Sequence, residues 1–153
     1  MGFNIIRVDN GNRDFQKLIV SLDEDLTRRY GPIQKHFAQF NKVDCIQDVV
    51  VVYAEGTPVG CGAFKPYDTE TVEFKRIFVS AEYRRQGLAG MILRELEMMA
   101  TAKGFRSAIL ETGVLQPEAI QLYRKAGFEI IPNYEPYTES TNSVCMRKRL
   151  NLE

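Results

Sequence analysis

Seven consecutive residues, Arg84-Arg85-Gln86-Gly87-Leu88-Ala89-Gly90, carry the most distinctive chemistry in the chain. An apolar strand pattern from Thr71 to Ser80 runs into them. An amphipathic helical pattern follows at once, with Leu88, Ile92, Leu96 and Met99 on one face. A glycine-containing turn at a helix N-terminus aims several unpaired backbone N–H groups and a positive dipole end at one point. That point suits a phosphate or pyrophosphate. Arg85 adds a guanidinium of the right geometry for a phosphate contact. Both Arg84 and Arg85 also have a plainer reading as solvated surface charges.

The turn is not a general nucleotide loop. A P-loop ends in Gly-Lys-Ser/Thr, whereas Met91 and Ile92 follow Gly90 here. A dinucleotide fingerprint needs G-x-G-x-x-G, and Arg85 stands at its first glycine. An unrelated nucleotide-binding domain is disfavoured on both counts. The preceding strand breaks phase: Val72 and Phe74 alternate with Glu73 and Lys75, but Ile77, Phe78 and Val79 then run together. Either the strand end is buried on both faces or a β-bulge lies there. With a bulge, free backbone groups around Ile77, Phe78 and Val79 could bond an extended, amide-containing ligand as an added strand would.

The elements that must position this turn read as one mixed α/β domain spanning 1–153. Phe3 to Val8 predicts a first strand and Asp14 to Tyr30 a helix, with a second short helix over Ile33 to Phe40. Asp48 to Ala54 and Val59 to Phe64 read as a hairpin about Glu55-Gly56-Thr57-Pro58. The strand Thr71–Ser80, the helix ending near Gly104 and the strand Ser107–Thr112 form a crossover that permits parallel pairing. Ligands in such units collect at the carboxyl ends of the strands, where Arg84–Gly90 lies. Pro117 to Ala126 predicts a further helix; Phe128 to Ile131 and Asn142 to Leu150 predict late strands.

Composition narrows the class. The chain has 153 residues, with 20 basic and 20 acidic side chains and no net charge, so nothing points to nucleic acid. No apolar run suits a membrane helix and the N-terminus has no signal-peptide pattern. Cys45, Cys61 and Cys145 are scattered, odd in number and not spaced as metal ligands, which reads as reduced cysteines in a cytoplasmic protein without a metal. His36 is the only histidine, so a triad or histidine-rich metal site built elsewhere is excluded.

A second element, Glu118-Ala119-Ile120-Gln121-Leu122-Tyr123-Arg124-Lys125-Ala126-Gly127-Phe128, joins the Arg84–Gly90 turn. Together they resemble the GNAT superfamily of acetyl-CoA-dependent N-acetyltransferases, over roughly Asp48 to Phe128. The resemblance implies that Arg84, Arg85, Gln86, Gly87, Leu88, Ala89 and Gly90 wrap the coenzyme A pyrophosphate, chiefly through backbone N–H groups. It implies that Ile77, Phe78 and Val79 bond the pantetheine arm and thioester, and that Tyr123 sits beside the coenzyme sulfur. Two positions depart from the common pattern: Ala89 replaces a glycine, and Gln116 stands where an asparagine often contacts pantetheine.

The implied reaction needs a neutral amine, a held thioester and an exit for thiolate. An amine of pKa about 10.4 is neutral only about 0.04% of the time at pH 7, a penalty of roughly 4.6 kcal/mol. A carboxylate, directly or through a water, could take the proton. Glu73 is the first candidate, eleven residues before Arg84, the offset of the catalytic glutamate in histone-acetylating members. Its plainer reading is a solvated strand glutamate or a partner for Arg76. Tyr123 would donate to the leaving sulfur, and its alternative is a core tyrosine, since Ile120, Tyr123 and Ala126 share a helical face. Backbone N–H groups near Phe78 would polarise the thioester oxygen. Glu111 and Thr112 end the second strand beside the site, and either could orient the acceptor. Tyr134, Glu135 and Tyr137 suit a cationic amine by cation–π attraction and pairing, or belong to an ordinary surface loop. The acceptor is a small-molecule or peptide amine, attacked directly in a ternary complex. A non-catalytic acyl-CoA-binding module is the rival reading, and homodimerisation, frequent in the family, stays open.

Overall fold

The computed structural model describes residues 2–31 and 46–150. His36, Cys45 and the helix expected over Ile33–Phe40 lie outside them. The described chain builds a seven-stranded sheet in the order β1-β2-β3-β4-β5-β7-β6. Its strands are β1 (Phe3–Val8), β2 (Asp48–Ala54), β3 (Thr57–Pro66), β4 (Thr71–Val79), β5 (Ser107–Gly113), β6 (Glu129–Ile131) and β7 (Ser143–Arg149). Three helices, α1 (Arg13–Tyr30), α2 (Leu88–Ala102) and α3 (Pro117–Lys125), pack on it. All neighbouring strands are antiparallel except β4 and β5, which are parallel across the α2 crossover.

The sheet is buried on both faces, which explains the uninterrupted apolar run Val49-Val50-Val51-Val52. Val50 and Val52 pack into the core under α2 with Ile92, Leu93 and Leu96. Val49 and Val51 face the other way, against Phe15, Leu18 and Leu22 of α1. Asn12 caps α1, accepting a hydrogen bond from the Phe15 N–H at 2.9 Å. The β2–β3 turn is tighter than the four residues expected. Glu55 and Gly56 alone make it, both at positive φ, and Thr57 and Pro58 already belong to β3.

The phase break in β4 is a bulge, one residue earlier than the Ile77–Val79 run suggested. Cys61 pairs with Phe78 but Ala63 with Lys75, so Arg76 and Ile77 together oppose Gly62. Arg76 takes the left-handed conformation, at φ 59°. Before the bulge Val72 and Phe74 face the α2 core; after it Ile77 and Val79 do. The extra residue reverses the side-chain alternation. As a result Lys75 and Arg76, neighbours in sequence, both leave the strand on the side of α1.

Candidate active site

β4 and β5 pair only from Thr71–Ser107 to Phe74–Leu110. Beyond Phe74, β4 turns through its bulge while β5 continues along β7 as far as Gly113. The two parallel strands therefore splay, and a cleft of about 90 Å³ opens between their carboxyl ends. The C-terminal half of α1 walls it with Leu22, Leu26 and Tyr30; β4 contributes Phe74, Lys75, Arg76 and Ile77. From the opposite side come Glu111, Thr112, Gln116 and Tyr123.

Past the carboxyl end of β4 the chain enters the N-terminus of α2. Gly87 occupies the N-cap at φ 81°, a conformation that favours glycine, and no side chain caps the helix. No acidic residue enters its first turn. Met91 N–H makes the first bond back to Gly87 at 3.1 Å. The turn is thus shaped for an anion: exposed backbone from Arg84 to Gly87, with the positive end of a 15-residue helix behind it. Arg84 braces it, donating from Nε to the Val79 carbonyl at 2.8 Å with its guanidinium 5.7 Å from the Phe78 ring centre. Arg85 is exposed at φ 64° and leaves its side chain to solvent.

Tyr123 sits at the cleft wall, 8% exposed, edge-on to Phe128 with ring centres 6.0 Å apart. Burial, then the nearby charge of Glu111, pushes its phenol well above the ordinary value, so it stays protonated. Gln116 caps nothing through its side chain; its Oε1 accepts from the Tyr30 hydroxyl and the Gly113 N–H, each at 3.3 Å. A Cβ on residue 113 would fall 1.5 Å from the Tyr30 hydroxyl oxygen, so glycine is what lets α1 close over the end of β5. Arg29 reinforces the closure through the Leu115 carbonyl at 3.2 Å and an ion pair with Glu118.

Charged side chains cluster about the cleft itself. Glu73 is 3% exposed. It accepts from the Tyr134 hydroxyl at 2.8 Å and lies 3.7 Å from Lys75 Nζ and 4.0 Å from Lys65 Nζ. It does not line the cleft, whereas Lys75, its ion-pair partner, does. Lys75 donates to the Tyr137 hydroxyl at 3.2 Å, and burial lowers its pKa while Glu73 opposes the shift. Glu111 does line the cleft. Burial raises its carboxyl above the usual range, and the Ser143 hydroxyl, donating at 2.7 Å, works against that. Arg76 donates from one Nη to Asp23 at 2.7 Å, and its Nε is buried without a partner among the described residues.

The sequence thus named Glu73, Tyr123, Gln116, Ile77, Phe78, Val79 and the Arg84–Gly90 turn, and offered Glu111 or Thr112 for orienting the acceptor. It missed Lys75, Arg76 and Tyr30 as cleft residues. The phase break was the available signal, since a bulge sends two successive β4 side chains to one side. Tyr134 and Tyr137 form a T-shaped pair 5.5 Å apart that holds Glu73 and Lys75 from behind. Glu135 is exposed and accepts from the Thr138 hydroxyl instead.

Comparison with known proteins settles the family. The profile described as the acetyltransferase (GNAT) family matches residues 15–128. The chain belongs to the GNAT family of acetyltransferases. It is 35% identical over 144 residues to an IAA acetyltransferase of Azospirillum brasilense, covering 88% of this chain and 92% of that protein. The N-acetyltransferase YsnE of Bacillus subtilis is 37% identical over 93 residues, 60% of this chain and 62% of that protein. A solved Klebsiella pneumoniae chain, designated an acyl-CoA N-acyltransferase, superposes with a TM-score of 0.81 at 26% identity, covering 97% of this chain and 98% of that one. This GNAT protein is accordingly an acyltransferase with acetyl-CoA as its cosubstrate. Among the described residues no group of side chains could hold a metal ion, and no helix is long and apolar enough to cross a membrane.

Proposed function

We propose that this chain transfers acetyl from acetyl-CoA to a primary amine by direct attack within a ternary complex. The observation that supports the reading is the splayed β4–β5 cleft, lined by Tyr123 and Glu111, at the carboxyl end of the strand that leads into the uncapped N-terminus of α2. The turn from Arg84 to Gly90 holds the pyrophosphate through backbone N–H groups, with Arg85 free to reach a phosphate. Pantetheine lies along the open edge of Ile77, Phe78 and Val79, beside Gln116. The thioester then arrives between backbone N–H donors and Tyr123.

The incoming ammonium first gives up a proton, then its nitrogen attacks the thioester carbon. The carbon–nitrogen bond forms, the carbon–sulfur bond breaks, Tyr123 supplies a proton to the departing sulfur, and the second proton that the nitrogen sheds on becoming an amide restores the Tyr123 phenol. Glu111 faces the cleft and, with its affinity for protons raised by burial, is suited to take the ammonium proton. Glu73, the carboxylate expected from its offset to Arg84, pairs with Lys75 and does not line the cleft; its part is to fix Lys75 and the charge balance of that wall. Burial drives the Cys61 thiol up to about 12 and Cys145 to about 11, both poor nucleophiles at neutral pH, which favours direct transfer over an acyl-enzyme. Reduced thiols and the lack of a spanning helix among the described residues fit a cytoplasmic enzyme.

Initial-rate kinetics with acetyl-CoA and an amine panel test the reading, with CoA thiol release as the readout. Intersecting double-reciprocal lines are expected. Parallel lines would mean an acyl-enzyme, and no amine-dependent thiol release would remove the transferase assignment.

A further inference from the structure

Arg76 is buried, with its side chain only 2% exposed, yet its Nε–H finds no hydrogen-bond partner among the described residues. Arginine cannot shed its charge to ease that burial. Native structures seldom leave such a donor unmet, because desolvation is then uncompensated. Its ion-pair partner, Asp23, is half exposed, so that pair is partly screened by water. Lys75 adds a like charge from the adjacent position, brought to the same side by the bulge. Burial chiefly lowers the Lys75 pKa, and the Arg76 charge acts in the same direction. Backbone at φ 59° is an unfavourable conformation for arginine, so the fold holds this guanidinium in the cleft wall at a cost. Glu111 lines the same cleft.

We infer that the acceptor is an amino acid-like zwitterion: its carboxylate meets Arg76 Nε while its ammonium enters beside Glu111. This rests on the acetyltransferase reading and adds the substrate class. A carboxylate satisfies the orphaned donor with a charge-assisted hydrogen bond and relieves the repulsion between Lys75 and Arg76. The Glu111 carboxylate pairs with the ammonium and is placed to accept its proton. A polyamine, cationic but without a carboxylate, would supply the second contact but leave Arg76 unanswered.

The test assays the purified full chain with acetyl-CoA and the common L-amino acids, each beside its α-carboxamide, with spermidine and tyramine as amines lacking a carboxylate. For the best pair, kcat/KM should favour the acid over the amide by at least about 10-fold, the value of one hydrogen bond between charged groups. Arg76→Gln should bring that ratio close to unity, mainly through KM for the acid. Should Arg76→Gln fold poorly, Arg76→Lys serves: it keeps the charge, lacks the Nε–H, and should lower the ratio part-way. Amides equal to or better than acids in the unmodified protein would overturn the inference and leave the transferase intact. Turnover confined to spermidine or tyramine would do the same, as would calorimetric binding of acetyl-CoA without acetylation of any acid. Loss of both acetyl-CoA binding and all turnover would remove the transferase reading itself, and this inference with it.

Discussion

The turn at the start of α2 and the cleft between β4 and β5 are built on opposite physical plans. At the α2 end the ligand-facing groups are backbone N–H groups, exposed and uncapped, and the side chains are incidental: Arg84 is folded back on Val79 and Arg85 points to water. At the β4–β5 end the backbone only delivers side chains. Glu73, Lys75, Arg76 and Glu111 are all withdrawn from water and balanced against one another through Tyr134, Tyr137, Asp23 and Ser143. A phosphate site made of main chain needs only a turn and a helix, so a short sequence pattern specifies it. A buried charge cluster needs exact partners, since each unpaired ion costs several kcal/mol. Under the proposed function the first plan serves a constant coenzyme and the second a particular acceptor.

That division can be broken most severely at Glu111. Glu111→Gln removes the cleft carboxylate while keeping a hydrogen bond to Ser143. Its kcat/KM for amine should fall at least about 100-fold, within the span of a general base. Glu73→Gln should cost less; the reverse order, measured in the same thiol-release assay, would move the base to Glu73. The pH profile sharpens the point. Glu111 must be ionised to accept a proton and burial raises its pKa, so activity should fade, as pH drops, at a value above the ordinary ~4.3 of glutamate. The sign for stability is opposite. A carboxyl with a raised folded pKa binds its proton more tightly when folded, so its contribution is present at low pH and lost as pH rises through that folded value. Thermal denaturation at neutral pH should therefore find Glu111→Gln no less stable than the parent.

A smaller effect is expected from Tyr123→Phe: kcat down at least ~10-fold, coenzyme affinity unchanged. Unaltered turnover would return Tyr123 to a packing role against Phe128. Smallest should be Tyr134→Phe, which deletes one hydrogen bond to the buried Glu73 carboxylate. Roughly 1.5 kcal/mol of stability should go, a fall in Tm of about 3–6 °C, with acetyl-CoA affinity intact. A parallel loss of coenzyme binding would show that the two regions are not separate.

The same contrast decides how much was legible beforehand. The strands, α1, the crossover and the turn at Gly87 follow from local periodicity and glycine placement, and they stand within a residue or two of expectation. The β3 strand starts two residues earlier because Pro58 is accommodated within it, opposite Tyr53. The acceptor end depends on which side of β4 each residue faces, and one inserted residue reverses that. Ile77-Phe78-Val79 betrayed a phase break, but its position at Arg76 depends on the pairing of Gly62 with its neighbours. Glu73 drew attention through its offset to Arg84; nothing in the sequence shows that Lys75, held by Tyr137 from 62 residues away, would line the cleft in its place. Glu111 needed the splay of β4 from β5 to become a cleft residue.

The most direct measurement is calorimetric titration of acetyl-CoA into the parent protein, Gly87→Asp and Glu111→Gln in one series. Gly87→Asp places a β-carbon and a negative charge where φ is 81° and phosphate must sit, so its affinity should fall at least about 10-fold. Glu111→Gln should bind acetyl-CoA like the parent. Normal binding in Gly87→Asp, or equal losses in both variants, would contradict a coenzyme held by the main-chain turn apart from the buried charges.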